Sequence, residues 1–175
     1  MKKKLIGIFI EKVVLVGFGS EANDLYGKGR FGEIIKENLQ LSLLESLYLV
    51  GKGKLIVVNQ QNKEISENTL MKKAVKQEPN FWTRFCVYKD MRDRGYVVKT
   101  ALKFGADFRV YDRGVKPGEA HAKWILYPVQ ESSGLTWHEF AAKNRVAHST
   151  KKKLMVGVVD DEADVSYWEI RWLRP

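Results

Sequence analysis

Apolar residues in the first part of the chain fall in short runs. Leu5–Ile10 and Val13–Val16 are continuous apolar stretches parted by Glu11 and Lys12, a pattern that predicts two short strands. Ser42-Leu43-Leu44-Glu45 has capping-box spacing. The serine oxygen accepts from an amide one turn on, while the glutamate reaches back. Behind it Leu43, Leu44, Leu47, Tyr48 and Val50 recur at helical spacing, and Gly51 stops the run. Leu55–Val58 predicts a strand, and Asn68–Lys76 a second helix.

From residue 80 onward the signals sharpen. Phe81–Arg94 reads as a helix ended by Gly95, and Tyr96–Thr100 as a strand. Phe108–Tyr111 and His121–Tyr127 are β-prone, and the turn-rich residues 112–120 between them predict a long-looped hairpin. Thr136-Trp137-His138-Glu139 is a second capping box opening a helix to about Ala147. Leu154–Val159 and Val165–Leu173 are strands joined by the acidic turn 160–164. The polar stretch Asn59–Asn62 and the break at Pro79-Asn80 place a boundary near residue 80. The expected fold class is α/β (α+β). Two small mixed domains are expected, an N-terminal structural one over 1–80 and a C-terminal one over 81–175 with a central mixed sheet flanked by helices.

Composition adds one unusual quantity. The 175 residues are 45% hydrophobic and 29% charged, which excludes disordered and low-complexity classes, but the net charge is +9. Such a surplus suits a polyanionic partner. It is not a tail, because residues 1–80 hold 13 basic and 9 acidic residues and residues 81–175 hold 17 and 12. Cys86 is the single cysteine, so no intrachain disulfide or cysteine-rich zinc site is available. The start, Met1-Lys2-Lys3-Lys4 and then Leu5–Ile10, has too short an apolar run for a signal peptide, and no stretch approaches the ~20 apolar residues of a membrane span. A cytoplasmic protein without a membrane partner is expected.

Several patterns are weaker than they look. Gly17-Phe18-Gly19-Ser20-Glu21-Ala22 and Gly27-Lys28-Gly29-Arg30-Phe31-Gly32 resemble dinucleotide fingerprints, but neither has a second parallel strand in prospect, so ordinary turns are expected. A nucleotide-binding regulatory protein is the function those loops would imply. His121, His138 and His148 are scattered without an i, i+4 pair, and the acidic turn lacks a calcium loop's terminal glutamate, so no metal or other cofactor is expected. The five tryptophans read mostly as core or interface material.

Chemistry gathers at the hairpin. Tyr111 ends one predicted strand and His121 begins its partner, so a phenol and an imidazole share one mouth. Lys152 opens the strand after the second capped helix and can bring an ammonium to the same place. Tyr, His and Lys suffice for metal-free phosphoryl transfer on RNA. One group accepts the 2′-OH proton, another protonates the leaving 5′-oxygen, and a cation stabilises the transition state. DNA lacks the 2′-OH.

Residues 90–100 (Asp90-Met91-Arg92-Asp93-Arg94-Gly95-Tyr96-Val97-Val98-Lys99-Thr100) and 103–111, ending Phe108-Arg109-Val110-Tyr111, together with Asp112-Arg113-Gly114, Glu119-Ala120-His121 and Arg145–Leu154, resemble the archaeal tRNA-splicing endonuclease family. Leu41–Leu49 resembles that family's N-terminal domain. The resemblance implies an endonuclease that excises introns from precursor tRNA. It would cut bulge–helix–bulge RNA at both junctions without a metal, leaving a 2′,3′-cyclic phosphate and a 5′-OH. It implies Tyr111 as general base, His121 as general acid and Lys152 as transition-state stabiliser. Arg145 and an aromatic, Trp168 in preference to Tyr167, would hold a bulged base by stacking, worth about 1–3 kcal/mol. One triad per short chain implies oligomerisation as a homotetramer, or a heterotetramer with a structural subunit. Trp168, Ile170 and Trp172 on the last strand would form a subunit seam, and Asp160 with its acidic neighbours would enter a neighbour's basic pocket. The alternative is a non-catalytic RNA-binding or structural subunit of the same assembly.

Overall fold

The computed structural model describes residues 4–101, 105–115, 118 and 120–173. Of the residues named above, Met1–Lys3, Lys103, Phe104, Lys116, Pro117 and Glu119 lie outside the described residues. The chain forms two compact units, Met1–Phe81 and Trp82–Pro175. Both are mixed α/β, each built on a five-stranded sheet.

In the first unit β1 (Leu5–Ile10) and β2 (Val13–Gly17) form a hairpin that turns at Glu11 with φ 51°. Helix α1 (Ser20–Gly27), β3 (Glu33–Ile35), β4 (Asn38–Ser42), α2 (Leu43–Gly51), β5 (Leu55–Val58) and α3 (Glu67–Gln77) follow. The sheet order is β3-β4-β2-β1-β5, with only the β1–β5 pair parallel. Helix α1 and strands β3 and β4 go beyond the predicted elements. Helix α1 is mostly polar, and its N-cap Gly19 makes no side-chain capping bond, so no local signal marks its start. Strand β4 alternates Leu39 and Leu41 with polar residues for only five positions before the capping box takes over. The first glycine pattern therefore does join a strand to a helix. The strand that next pairs with β2 is antiparallel β4, so no parallel β-α-β unit is built around it.

The Ser42 capping box is present, and Glu45 does more than close it. One carboxylate oxygen accepts from the Ser42 N–H and hydroxyl, both at 2.9 Å, and the other accepts from Gly32 N at 2.8 Å. Gly32 has φ +67°, and an added Cβ would stand 2.6 Å from the Gln40 carbonyl oxygen. Glycine is required there on both counts.

The second unit runs α4 (Phe81–Asp93), β6 (Val97–Thr100), β7 (Phe108–Tyr111), β8 (Trp124–Gln130), α5 (Trp137–Ser149), β9 (Lys153–Val159) and β10 (Val165–Ile170). Its sheet order is β10-β9-β8-β7-β6, antiparallel except for β8–β9. The parallel pair follows from the α5 crossover between those strands. Helix α5 packs Ala147 against Ile125, Tyr127 and Leu154 on one sheet face. On the other face Tyr88 of α4 meets Phe108 at a ring distance of 6.0 Å, and Val87 lies against Gly157. Strand β8 starts at Trp124, three residues later than expected, because Lys123 lies in a bend. Strand β10 ends at Ile170, short of the expected Leu173. Among the described residues no helix is long and apolar enough to cross a membrane.

Candidate active site

Strand directions gather the candidate residues. Strand β7 ends where β8 begins, because the two are antiparallel, and β9 begins at the same sheet end, because it runs parallel to β8. The sheet register pairs Val110 with Trp124, and Trp124 with Lys153. One step outward, Tyr111, Lys123 and Lys152 stand level on three adjacent strands. At about 4.8 Å per strand, the Cα atoms of Tyr111 and Lys152 are roughly 10 Å apart. His121 comes two residues before Lys123 and is exposed. His121 therefore lies in the segment ahead of β8 and does not itself begin the strand.

Each side chain has a definite setting. The Tyr111 ring is buried against Val97 and Ala122, with Val115 alongside, so its position is set by packing. Lys152 is half-buried, and its ammonium donates to the Thr150 carbonyl at 2.8 Å. The turn that delivers it is a Schellman motif. Lys152 N donates to Ala147 O and Lys151 N to His148 O, with Lys151 at φ 55°. A lysine in the left-handed region is unusual and gives a sharp exit from α5 into β9. The second capping box holds the far end of α5, Thr136 accepting from Glu139 N while the Glu139 carboxylate accepts from Thr136 N at 2.8 Å. That bonding to Thr136 lowers the Glu139 carboxyl below its ordinary range.

The remaining candidates are dispersed. Arg145 is exposed on α5. By register Trp168 lies on the α5 side of the sheet, and it is 54% exposed. Tyr167 points to the opposite side. Its hydroxyl donates to Asp90 of α4 at 2.8 Å, and burial followed by that bond pushes its pKa far up. Tyr167 is thus engaged within its own unit, whereas Trp168 presents a free face. Ile170 packs against the cluster around Ile125 and Leu154, and Trp172 meets His148 edge-on at 4.6 Å, both at the Tyr111 end. Asp160 is at the other end, where its side chain accepts from the Glu162 and Asp164 amides to close the acidic turn. Of the five tryptophans only Trp124 is buried in the core, and Trp82, Trp137, Trp168 and Trp172 are exposed on the chain. Among the described residues no cluster of His, Cys, Asp and Glu is placed to hold a metal ion.

A network unread in the sequence lies beneath the site. Trp124 Nε1 donates to Glu169 at 2.8 Å, and Lys153 and Arg171 donate to the same carboxylate. Those donors, the indole first, hold the Glu169 carboxyl down at about 2. Lys123 places its ammonium 4.3 Å from the centre of the Trp124 ring and donates to Asp112 at 3.0 Å.

Comparison with known proteins bears on this architecture. A family model described as the tRNA intron endonuclease catalytic C-terminal domain matches residues 81–167, and one for the N-terminal domain of the same enzymes matches residues 5–71. The chain belongs to the tRNA intron endonuclease family. A tRNA-splicing endonuclease of Nanoarchaeum equitans is 43% identical to it over 81% of this chain and 94% of the relative. One from Thermococcus gammatolerans is 41% identical over 87% and 88%, and one from Methanothermobacter thermautotrophicus 36% identical over 94% and 95%. The catalytic-domain match contains all three strands that meet at Tyr111, His121 and Lys152. Trp168 and the residues after it lie beyond that match.

Proposed function

We propose that this tRNA intron endonuclease cuts precursor tRNA at both exon–intron junctions of a bulge–helix–bulge, with Tyr111, His121 and Lys152 as its catalytic residues. Tyr111 takes the proton of the 2′-OH at the junction. The 2′-oxygen bonds to the adjacent phosphorus and the P–O5′ bond breaks. His121 gives its proton to the departing 5′-oxygen, and the Lys152 ammonium stabilises the negative charge that builds on the phosphoryl oxygens. The products are a 2′,3′-cyclic phosphate and a 5′-OH, and every proton moves between side chains and RNA. The observation that supports the reading is that β7, β8 and β9 come together at one sheet end inside the family's catalytic domain, with Tyr111 ending β7, His121 three residues ahead of β8 and Lys152 immediately ahead of β9.

Arg145 and Trp168 hold a bulged base between flat groups. Two cuts in one RNA need two such sites, and one chain supplies one. The working enzyme is therefore an oligomer, of four identical chains or of these chains with a structural partner, assembled through surfaces that include Asp160, Ile170 and Trp172. Incubating the purified chain with a bulge–helix–bulge transcript in EDTA tests the reading. Two cuts with cyclic-phosphate ends are expected from the wild type, and none from His121→Ala. Full activity of His121→Ala, or a strict need for Mg²⁺, would overturn the roles. A chain that cuts only with an added partner, and cuts there equally well as His121→Ala, would favour the structural-subunit alternative.

A further inference from the structure

Lys123 is not one of the three catalytic candidates, yet its bonds reach the chain neighbours of two of them, Tyr111 and Lys152. Its backbone N–H donates to Val110 O at 2.9 Å, next to Tyr111, and its carbonyl accepts from Lys153 N at 3.0 Å, next to Lys152. Its ammonium donates to Asp112, the residue after Tyr111, and His121 lies two residues ahead of it in the chain. The ammonium also rests on the Trp124 ring. That ring is itself fixed, edge-on to Tyr96 at 5.9 Å and bonded to Glu169.

We propose that Lys123 is a positioning residue of the active site: its ion pair with Asp112, seated on Trp124, sets the phenol-bearing strand end against the imidazole-bearing segment. The proposal rests on the catalytic roles given above. A purely structural role fits the numbers poorly. The Lys123 and Asp112 side chains are 44% and 49% exposed, and an ion pair so exposed adds little to global stability. A small shift in the relative placement of two reacting groups, by contrast, changes rate strongly.

The test is steady-state cleavage of a bulge–helix–bulge transcript by full-length variants, with thermal melting in parallel. Lys123→Met removes the charge and keeps the stacked chain. It should lower kcat on the order of tenfold and leave KM within about threefold. Lys123→Arg keeps a cation that can lie on the Trp124 face and pair with Asp112, so kcat should stay within about threefold of wild type. Asp112→Asn should lower kcat like Lys123→Met, and the double variant should be no worse than either. Additive losses in the double variant would overturn the proposal. So would an unchanged kcat with a raised KM and a shallower salt dependence, which is the signature of a phosphate contact. If Lys123→Met does not fold, Asp112→Asn alone carries the kcat readout. His121→Ala in the same assay separates the two levels. Wild-type activity there removes the catalytic assignment itself, whereas an inactive His121→Ala beside a fully active Lys123→Met removes only the role of Lys123.

Discussion

The bond between Tyr167 and Asp90 offers a clean perturbation, because Tyr167→Phe deletes one oxygen and little else. The ring stays in place over Gly157, where a Cβ would lie 3.2 Å from Tyr167 Cε1 and 3.2 Å from Val87 Cγ2. The Arg94 guanidinium keeps its position 5.9 Å over the ring and its 2.7 Å bond to the same Asp90 oxygen. Asp90 is therefore not orphaned, and the loss isolates a hydroxyl–carboxylate bond. Bonds to charged groups contribute about 1.5–3 kcal/mol, and the surviving Arg94 partner puts this one near the lower end. Urea unfolding followed by tryptophan fluorescence reads the second unit alone, since all five tryptophans lie beyond residue 81. With an m-value of about 1–1.5 kcal/mol/M, the midpoint of Tyr167→Phe at pH 8 should fall by roughly 1 M. Alkaline pH adds a second check. Burial and the Asp90 bond hold the Tyr167 pKa above that of a free phenol, so the folded state keeps a proton that the unfolded chain releases. The stabilisation is complete below pH ~10 and declines as pH rises, by up to about 1.4 kcal/mol per unit. The gap between wild type and Tyr167→Phe should therefore largely close by pH ~11. Tyr127, raised to about 12 by burial, is present in both proteins and cancels. Equal midpoints at pH 8, or a gap unchanged at pH 11, would refute the reasoning.

Two further outcomes are expected. Gly32→Ala places a Cβ against the Gln40 carbonyl and Leu39 at a φ of +67°, so the left-handed penalty and the clash together should destabilise the first unit by about 2–5 kcal/mol; a loss under about 1 kcal/mol in far-UV circular dichroism melts would contradict this. The Trp124 indole N–H should report the Glu169 carboxyl by NMR. Because that carboxyl is held low, its contribution to stability is present above the ordinary glutamate range and is lost as pH falls toward about 2. The indole resonance should shift with a midpoint near 2, and a midpoint near 4.5 would show that the indole and the two cations do not stabilise the carboxylate.

The clearest local signals have both partners of an interaction within one turn. Ser42 with Glu45 and Thr136 with Glu139 are separated by three residues, and both capping boxes formed. The short, mostly polar helix α1 and the five-residue strand β4 left no comparable mark. Strand β8 starts at Trp124 and not at His121: Ala122 and Lys123 have low β-propensity, and the chain bends at Lys123 before the apolar run begins.

The sequence by itself determined most elements of the second unit and about half of those of the first, the basic surplus and its even spread, and the identity of Tyr111, His121 and Lys152 as a candidate set. Only the tertiary structure decided what surrounds them. It brought Trp124 to Glu169 across 45 positions and assigned Lys153 to that same carboxylate. The physical reason is the same in each case. Capping and periodicity act over three or four residues, while the environment of a charged group is set by strands that meet only through sheet order and register.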